Sequence, residues 1–261
     1  MTPTPLLDSI PSWAIYLVIV IIALLMAEVG FQAGRWWSKR SDAETDESAA
    51  AVVGATLALL AFLIVFQVGI AADRFDARRQ FVVEEGQAVG TAYLRAGFLD
   101  EPDQAEIRKL LEEYVDIRLA AASGASAVES VVARSEEIHA ELWAITQPAA
   151  LAKPDSELIV GFVESINQVI EVHADRVAAV LNRFPPSIWL AIFFVAALSV
   201  SVVGFHTGLD GERNLVAVLA LVLVTSAVIL LIVDLDRPQE GLLQVSQQTL
   251  IDLQRQFEAW P

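Results

Sequence analysis

Hydrophobic residues form four long stretches along this chain, at about residues 13 to 34, 50 to 72, 187 to 207 and 214 to 233. A helix needs roughly 20 apolar residues to cross a hydrocarbon core about 30 Å thick. Lipid offers backbone polar groups no partners, and a helix satisfies its own. The pattern therefore predicts an all-α integral membrane protein with four transmembrane helices.

The connections between these stretches predict how the chain is organised. Short polar loops join the first two and the last two stretches, which gives an N-terminal transmembrane hairpin over residues 1–72 and a C-terminal one over residues 185–234. A long insert, residues 73–184, separates the hairpins, and a tail covers residues 235–261. Because each hairpin crosses the membrane twice, both chain ends and the insert are expected on one side.

The insert has the pattern of a helical bundle. Apolar residues recur at helical spacing and predict four helices: residues 73–98 continuing the second span, one after Pro102, and two over 128–147 and 155–183. Pro148 and Pro154 are expected to frame the turn before the last helix. The insert holds 11 Lys and Arg against 20 Asp and Glu, so it supplies −9 of the formal net charge of −16.

Composition excludes several function classes. The chain has no cysteine, which rules out disulfides and thiol nucleophiles. Its acidity argues against nucleic acid as a partner, since phosphate backbones require clustered positive charge. No acid and nucleophile constellation suggests an enzyme, and no cofactor motif is present. Glu136 and His139 have the spacing of a metal-binding pair, but the second such pair is missing, so we expect no metal site and favour an exposed, salt-bridged helix face.

The second span carries a stripe of large apolar residues that could line a pore. Leu59, Phe62 and Phe66 recur at helical spacing, and in a symmetric assembly such a stripe can form a constriction that gates by dewetting. Gln67 is a polar candidate on the same span. The alternative for both is lipid contact or helix packing.

Charged residues follow directly after that span. Asp73, Arg74, Arg78 and Arg79 are candidates for the mouth of a pore, where symmetry would repeat them as rings of charge. Arginine rings would favour anions and aspartate rings cations. The alternative is local pairing between Asp and Arg at the membrane boundary.

Glu28 is the one carboxylate well inside an apolar stretch, which makes it a functional candidate. The alternative is that its side chain extends towards the interface and Arg35, about 10 Å along the helix axis. Gly30 and Gly34, with three residues between them, would let another helix approach closely.

The last apolar stretch ends in a second polar cluster. Asp234, Asp236 and Arg237 precede Pro238 and Gly241. They could pair with Arg74, Arg78 or Arg79 as a structural clamp, or form an acidic ion-binding site.

Three segments together resemble the bacterial bestrophin-like family, a domain family of unknown function that is remotely similar to the bestrophin ion channels. They are Asp73 to Gln80, Glu84 to Leu94, and Asp234 to Gly241 with Ser246. The resemblance implies a homo-oligomer, a pentamer in bestrophins, that conducts inorganic ions along its second span. It makes Phe62 and Phe66 neck candidates and places the insert in the cytoplasm.

The resemblance also implies a multi-pass protein of the bacterial inner membrane, with both termini cytoplasmic. Six arginines near span ends on the insert side, against four Lys and Arg in the opposite loops, favour that orientation, although leaving out the long insert reverses the count. The sequence thus predicts an oligomeric ion channel. The alternative is a membrane-anchored signalling or scaffolding protein whose acidic bundle binds a partner.

Overall fold

The computed structural model describes residues 10–40, 47–124, 127–211, 213–237 and 241–260, and within them it contains helices and no strand. A single turn of 3₁₀ helix, Ala96–Phe98, follows the second helix. The α-helices in chain order are α1 Ser12–Ser38, α2 Glu47–Arg95, α3 Asp103–Ala122, α4 Val128–Ala152, α5 Glu157–Leu181, α6 Pro186–Asp210, α7 Leu215–Asp236 and α8 Gln248–Phe257.

Four stretches of this helical chain are long and apolar enough to cross a membrane, and they lie in α1, α2, α6 and α7. The prediction of four long apolar helices is confirmed. Among the described residues, α3, α4 and α8 contain no such stretch. The protein is therefore an integral membrane protein.

The chain divides into two compact units. The first, which we call the span unit, consists of residues 1–75 and 183–244, and the second unit consists of residues 76–182 and 245–261. The division falls inside α2, between Phe75 and Asp76. The tail from Val245 onwards belongs to the second unit, so α8 is counted with α3, α4 and α5.

Glycines set the packing of α1 on α6 in the span unit. A methyl group at Gly30 would overlap the backbone carbonyl of Ser201, and one at Gly34 would overlap that of Phe205. Both numbers rise together, so α1 and α6 run parallel. Gly30 and Gly34 thus allow the close approach that their spacing predicts.

α6 contributes a matching pair of glycines at the same crossing. A methyl group at Gly204 would overlap the carbonyl of Ala27, and one at Gly208 would overlap that of Phe31. The two backbones are therefore in direct contact, and neither helix tolerates a side chain there. α7 packs beside both helices, with Val222 and Ile229 buried against them.

One face of α2 packs within the span unit. Leu60 is buried with Ile19 of α1 and Ile192 of α6, and Ala71 is buried with Phe184 and Ile232. These two α2 positions lie eleven residues apart, three helical turns, which is the spacing of a single helix face. The opposite face carries the exposed residues described below.

The second unit has a conventional apolar core. Large side chains from four helices are fully buried there, together with residues of α8. The principal ones are Tyr114, Leu111, Ile138, Leu142, Phe162, Ile166 and Leu250. Gly86 and Gly90 of α2 make room for α8: a methyl group at Gly86 would come within 2.7 Å of the Thr249 methyl, and one at Gly90 within 3.2 Å of Leu253.

The structure corrects one expected helix end. α4 does not stop before Pro148 but continues through it to Ala152. Proline removes the hydrogen bond that the Ala144 carbonyl would otherwise accept, and both residues are exposed, so water can take its place. The partly buried Ala149 and Ala150 pack on the core and extend the helix by one turn.

Candidate functional site

The predicted neck residues lie on the unpacked face of α2. Leu59, Phe62 and Phe66 are 53%, 66% and 58% exposed, and the two phenyl rings stack with centroids 6.5 Å apart. Gln67 is half-buried, and its amide oxygen is buried without a hydrogen-bond partner among the described residues. The structure therefore brings the aromatic pair together on one surface and sets Gln67 beside the packed face.

The four predicted mouth residues do not share one environment. Asp73 and Arg79 are exposed, whereas Arg78 is buried. Arg74 is mostly buried, with its guanidinium 4.3 Å above the Phe184 ring and 3.8 Å from Asp236. Arg74 and Arg78 therefore do not form exposed rings of positive charge. Arg78 is buried, and Arg74 contacts Phe184 and Asp236 within the span unit. Asp73, Asp76 and Arg79 are the exposed charges in this part of α2.

The C-terminal motif ties several chain segments together. Both oxygens of the buried Asp234 carboxylate accept backbone N–H groups, from Leu242 at 2.6 Å and from Leu243 at 2.8 Å. Gly241 is required for this turn, since a methyl group there would lie 3.0 Å from Asp234 Oδ1. Asp236 accepts the backbone N–H of Phe184 at 3.2 Å. Pro238 lies outside the described residues.

Arg237 completes the same end of the span unit. It donates to the backbone carbonyl of Ile10 at 2.9 Å and to the Ser12 hydroxyl at 3.2 Å. The start of α1, the middle of α2 at Arg74, the start of α6 and the end of α7 therefore meet at one end of this unit. The ion pair of Asp236 with Arg74 corresponds to the structural clamp that the sequence suggested.

Across the described residues, no group of three or more His, Asp or Glu could hold a metal ion.

Glu28 lies near the opposite end of the span unit. Its partner is Arg213, which donates from Nη2 to Glu28 Oε1 at 3.0 Å, rather than Arg35 as the spacing suggested. Gln32 donates to the same oxygen at 3.0 Å. Arg213 belongs to the connection between α6 and α7, and the fold brings it back over the Phe31 ring at 4.4 Å. The sequence did not predict this pair, because Glu28 and Arg213 are 185 positions apart.

A buried charged cluster, which the sequence did not predict, occupies the middle of the second unit. Glu85 of α2 is completely buried. Its carboxylate pairs with Arg118 of α3 at 3.0 Å and with Arg176 of α5, and accepts the Tyr114 hydroxyl at 2.6 Å. Arg176 also donates to the side chain of Gln247 at 2.8 Å. Burial raises the pKa of Glu85, but Arg176, Arg118 and Tyr114 outweigh it and hold that pKa lowered.

Two histidines border this cluster. His139 and His173 are both buried, with ring centroids 4.7 Å apart and planes nearly perpendicular. His173 Nδ1 lies 3.1 Å from the Tyr114 hydroxyl. Burial, reinforced by the positive charge of Arg118, lowers the pKa of each histidine to about 4. Both rings are therefore neutral at neutral pH.

The histidine placement corrects one expectation. His139 is buried, whereas Glu136 is exposed, so this pair does not form the exposed salt-bridged face that the spacing suggested. On that helix the exposed pairing centres on Arg134, which contacts Glu113, Glu137 and Glu141.

A sequence signal for the buried cluster existed. Glu85 stands between the buried Val82 and Val89 at helical spacing, which places a carboxylate on the apolar stripe of its helix. Arg118 follows Tyr114 by one turn. The tail helix had a signal as well, since Leu250, Leu253 and Phe257 recur on one face and are buried. For Arg213 no local signal exists, because its partner is distant in the chain.

Comparison with known families identifies the chain. A sequence profile described as the Bestrophin-like domain matches residues 18–250, which is most of the molecule. The chain belongs to the Bestrophin-like family. This match confirms the resemblance drawn from the sequence, and it spans all three segments on which that resemblance rested.

The Bestrophin-like fold seen here also matches an experimental structure. It is similar to a crystal structure described as that of a membrane protein, with a TM-score of 0.70 and 12% sequence identity. The alignment covers 94% of this chain and 97% of that one. At this identity the likeness establishes the fold alone. A search of curated proteins found no match for this Bestrophin-like chain.

Proposed function

We propose that this Bestrophin-like protein assembles into a symmetric homo-oligomer and conducts inorganic ions passively, with α2 lining the path. The supporting observation is the exposure of α2. Only 6% of its most apolar 18-residue window is buried, against 28% in α1 and α7 and 33% in the segment Glu157–Asp210, which includes α6. A helix that packs so little within its own subunit has a face available to other subunits and to a central path.

The residues on that face suit a constriction. Phe62 and Phe66 project one turn apart from the exposed side of α2, and repetition by symmetry would make two adjacent apolar rings. Such rings exclude water and gate ion flow by dewetting. Asp73 is exposed two turns further along the helix, so the proposed path leaves the apolar region at a ring of negative charge.

For orientation, we propose that the second unit and both termini lie in the cytoplasm of a bacterial cell, with the spans in the inner membrane. The meeting of Arg74, Phe184 and Arg237 at one end of the span unit supports placing the starts of α1 and α6 on the same side as the end of α7 and the point where the apolar stretch of α2 ends. Because the chain has no cysteine, a single cysteine at the exposed Ser123 can be tested for labelling from either side.

The test of conduction is ion flux from proteoliposomes loaded with chloride or potassium. Replacing both Phe62 and Phe66 by Ala should increase flux several-fold, because the apolar barrier to water and ions is removed. Phe194→Ala is the matched control, since Phe194 on α6 is 65% exposed and stands outside the proposed path. It should leave flux unchanged.

Two outcomes would overturn this proposal. Equal flux from wild type and from the Phe62/Phe66 double variant would remove α2 as the gate. Absence of flux from folded, oligomeric protein would remove conduction itself, and would favour the partner-binding role of the acidic second unit instead.

A further inference from the structure

An amphipathic cleft opens in the span unit between α1, the end of α6 and the start of α7. Its deeper wall is apolar, formed by residues including Leu24, Ala27 and Val218, and its rim carries the ion pair of Glu28 and Arg213. Leu24 and Val218 each lie about one helical turn from the rim residues of their own helix, Glu28 and Asn214, on the side towards the middle of the span, and Ala27 is next to Glu28. The cleft therefore changes from apolar to charged over a few ångströms.

The ion pair at the rim retains unused hydrogen-bonding capacity. Arg213 and Gln32 both donate to Glu28 Oε1, so within the described part of the chain Oε2 accepts no hydrogen bond. Arg213 donates from Nη2, and its Nε and Nη1 donate to no acceptor within the described part of the chain. Both side chains are close to half exposed. A ligand could thus bind both residues without separating them.

The start of α7 adds to the positive side of the rim. Asn214 caps this helix, accepting the backbone N–H of Ala217 at 3.2 Å. Asn214 and Leu215 line the cleft, so the first N–H groups of a 22-residue helix lie beside Arg213. A helix N-terminus attracts anions such as phosphate, and its partial charge adds to that of the guanidinium.

We infer that this cleft binds a phospholipid whose headgroup carries both a phosphate and a primary ammonium group. The phosphate binds Arg213 and the start of α7, the ammonium binds Glu28 Oε2, and an acyl chain lies against Leu24 and Val218. Charge complementarity carries this assignment, because a positive and a negative side chain 3.0 Å apart match a zwitterion better than a singly charged headgroup. The inference goes beyond ion conduction and does not depend on it.

The experiment is native mass spectrometry of the full chain in detergent, with dioleoyl phosphatidylethanolamine, phosphatidylcholine or phosphatidylglycerol added. Wild type should retain the ethanolamine lipid about tenfold better than the choline lipid, since a quaternary ammonium cannot donate a hydrogen bond to Glu28. Arg213→Gln should lose about tenfold in retention of the ethanolamine lipid, the loss expected for one charge-assisted contact.

Two further variants separate the parts of the site. Glu28→Gln should retain phospholipid but lose the preference for ethanolamine over choline. Leu24→Trp should reduce retention without touching a charge, because the added ring fills the apolar wall. Arg35→Gln is the matched control, since it removes an exposed arginine of α1 that does not line the cleft, and it should change nothing.

Soluble glycerophosphoethanolamine distinguishes a lipid site from a headgroup site. Failure of this compound to displace the lipid at equal concentration supports a site that requires the acyl chain. Full displacement would overturn the lipid assignment in favour of a soluble zwitterion. Equal retention of all three lipids, a preference for phosphatidylglycerol, or unchanged retention in Arg213→Gln would each overturn the inference.

Discussion

The span unit and the second unit place their charges in opposite ways. In the span unit, ion pairs lie near the two ends, Arg74 with Asp236 and Glu28 with Arg213, and the helix crossing at the level of Glu28 is made of glycines. In the second unit a carboxylate, Glu85, is completely buried in the middle, surrounded by large apolar side chains.

The difference follows from what drives packing in each unit. Lipid tails are as apolar as the side chains, so helices in a membrane gain little from burying large residues and associate through close backbone contact. Outside lipid, removing apolar surface from water stabilises a core. A charge inside such a core is tolerated only when opposite charges and hydrogen bonds surround it. Glu85 has two arginines and a tyrosine.

The largest expected effect comes from removing that central carboxylate. Glu85→Gln leaves Arg118 and Arg176 buried with excess positive charge, and should lower the free energy of unfolding by about 3–5 kcal/mol. Denaturant unfolding of the purified protein measures this. The exposed Glu106→Gln is the control and should change stability little. A loss below about 1 kcal/mol for Glu85→Gln would show that the cluster is not held together by this carboxylate.

The next effect tests the glycine crossing. Gly204→Ala places a methyl group against the Ala27 carbonyl, so α1 and α6 must separate, at a cost of about 2 kcal/mol or more. Gly54→Ala is matched to it, because nothing lies within 4 Å of a methyl group at that position. That control should be neutral or stabilising by up to about 1 kcal/mol. Equal thermal midpoints for the two variants in detergent would contradict backbone contact as the basis of this packing.

A smaller effect should appear with pH in the second unit. The pKa of His139 is about 4 in the folded state and about 6.5 in the unfolded state, so the unfolded chain takes up the proton first as pH falls. Its contribution to stability is therefore complete above pH 6.5 and is lost progressively towards pH 4. His173 behaves in the same way.

The variant His139→Phe isolates this contribution, because it keeps a ring in the same place and removes the titrating group. Thermal midpoints measured between pH 7.5 and pH 5 should fall less steeply for the variant, by roughly half if the two histidines contribute equally. An identical slope for variant and wild type would show that His139 does not govern acid sensitivity in this range. The range is chosen to lie above most carboxylate titrations.

The smallest expected effect concerns the ion pair near the end of the span unit. Glu28 and Arg213 are close to half exposed, so Arg213→Gln should lower stability by about 1 kcal/mol or less. This contrasts with the large loss at Glu85. Thermal unfolding in detergent measures this loss. A loss as large as that of Glu85→Gln would show that ion pairs contribute equally to stability in the two units, against the difference described above.

Most helices of this protein were predictable from local pattern. The four apolar stretches and the periodicity around Ile107, Ile138 and Phe162 predicted α1 to α7 to within a few residues, because each helix carries its own repeating apolar face. The end of α4 was predicted wrongly at Pro148, since packing of the following turn outweighed the missing hydrogen bond. The glycine pair on α1 was found, but its partners on α6 were not.

Residues that meet across the chain were less predictable. Arg74 could be proposed as a partner of Asp236 because both flank apolar stretches, whereas Arg213 is 185 positions from Glu28 and Arg176 is 91 from Glu85. Pairing over such distances depends on which helix faces meet, and one helical turn of shift would change every partner.

The sequence by itself determined that this chain crosses a membrane, where its helices lie and which family it belongs to, because length, hydropathy and short motifs are local properties. Tertiary structure alone decided that α1 and α6 touch through their backbones, that Glu85 is enclosed by two arginines, and that Glu28 and Arg213 form the rim of a cleft. Those features depend on contacts between distant segments. The energy of such a contact depends on both segments at once, whereas helix periodicity is a property of one segment alone.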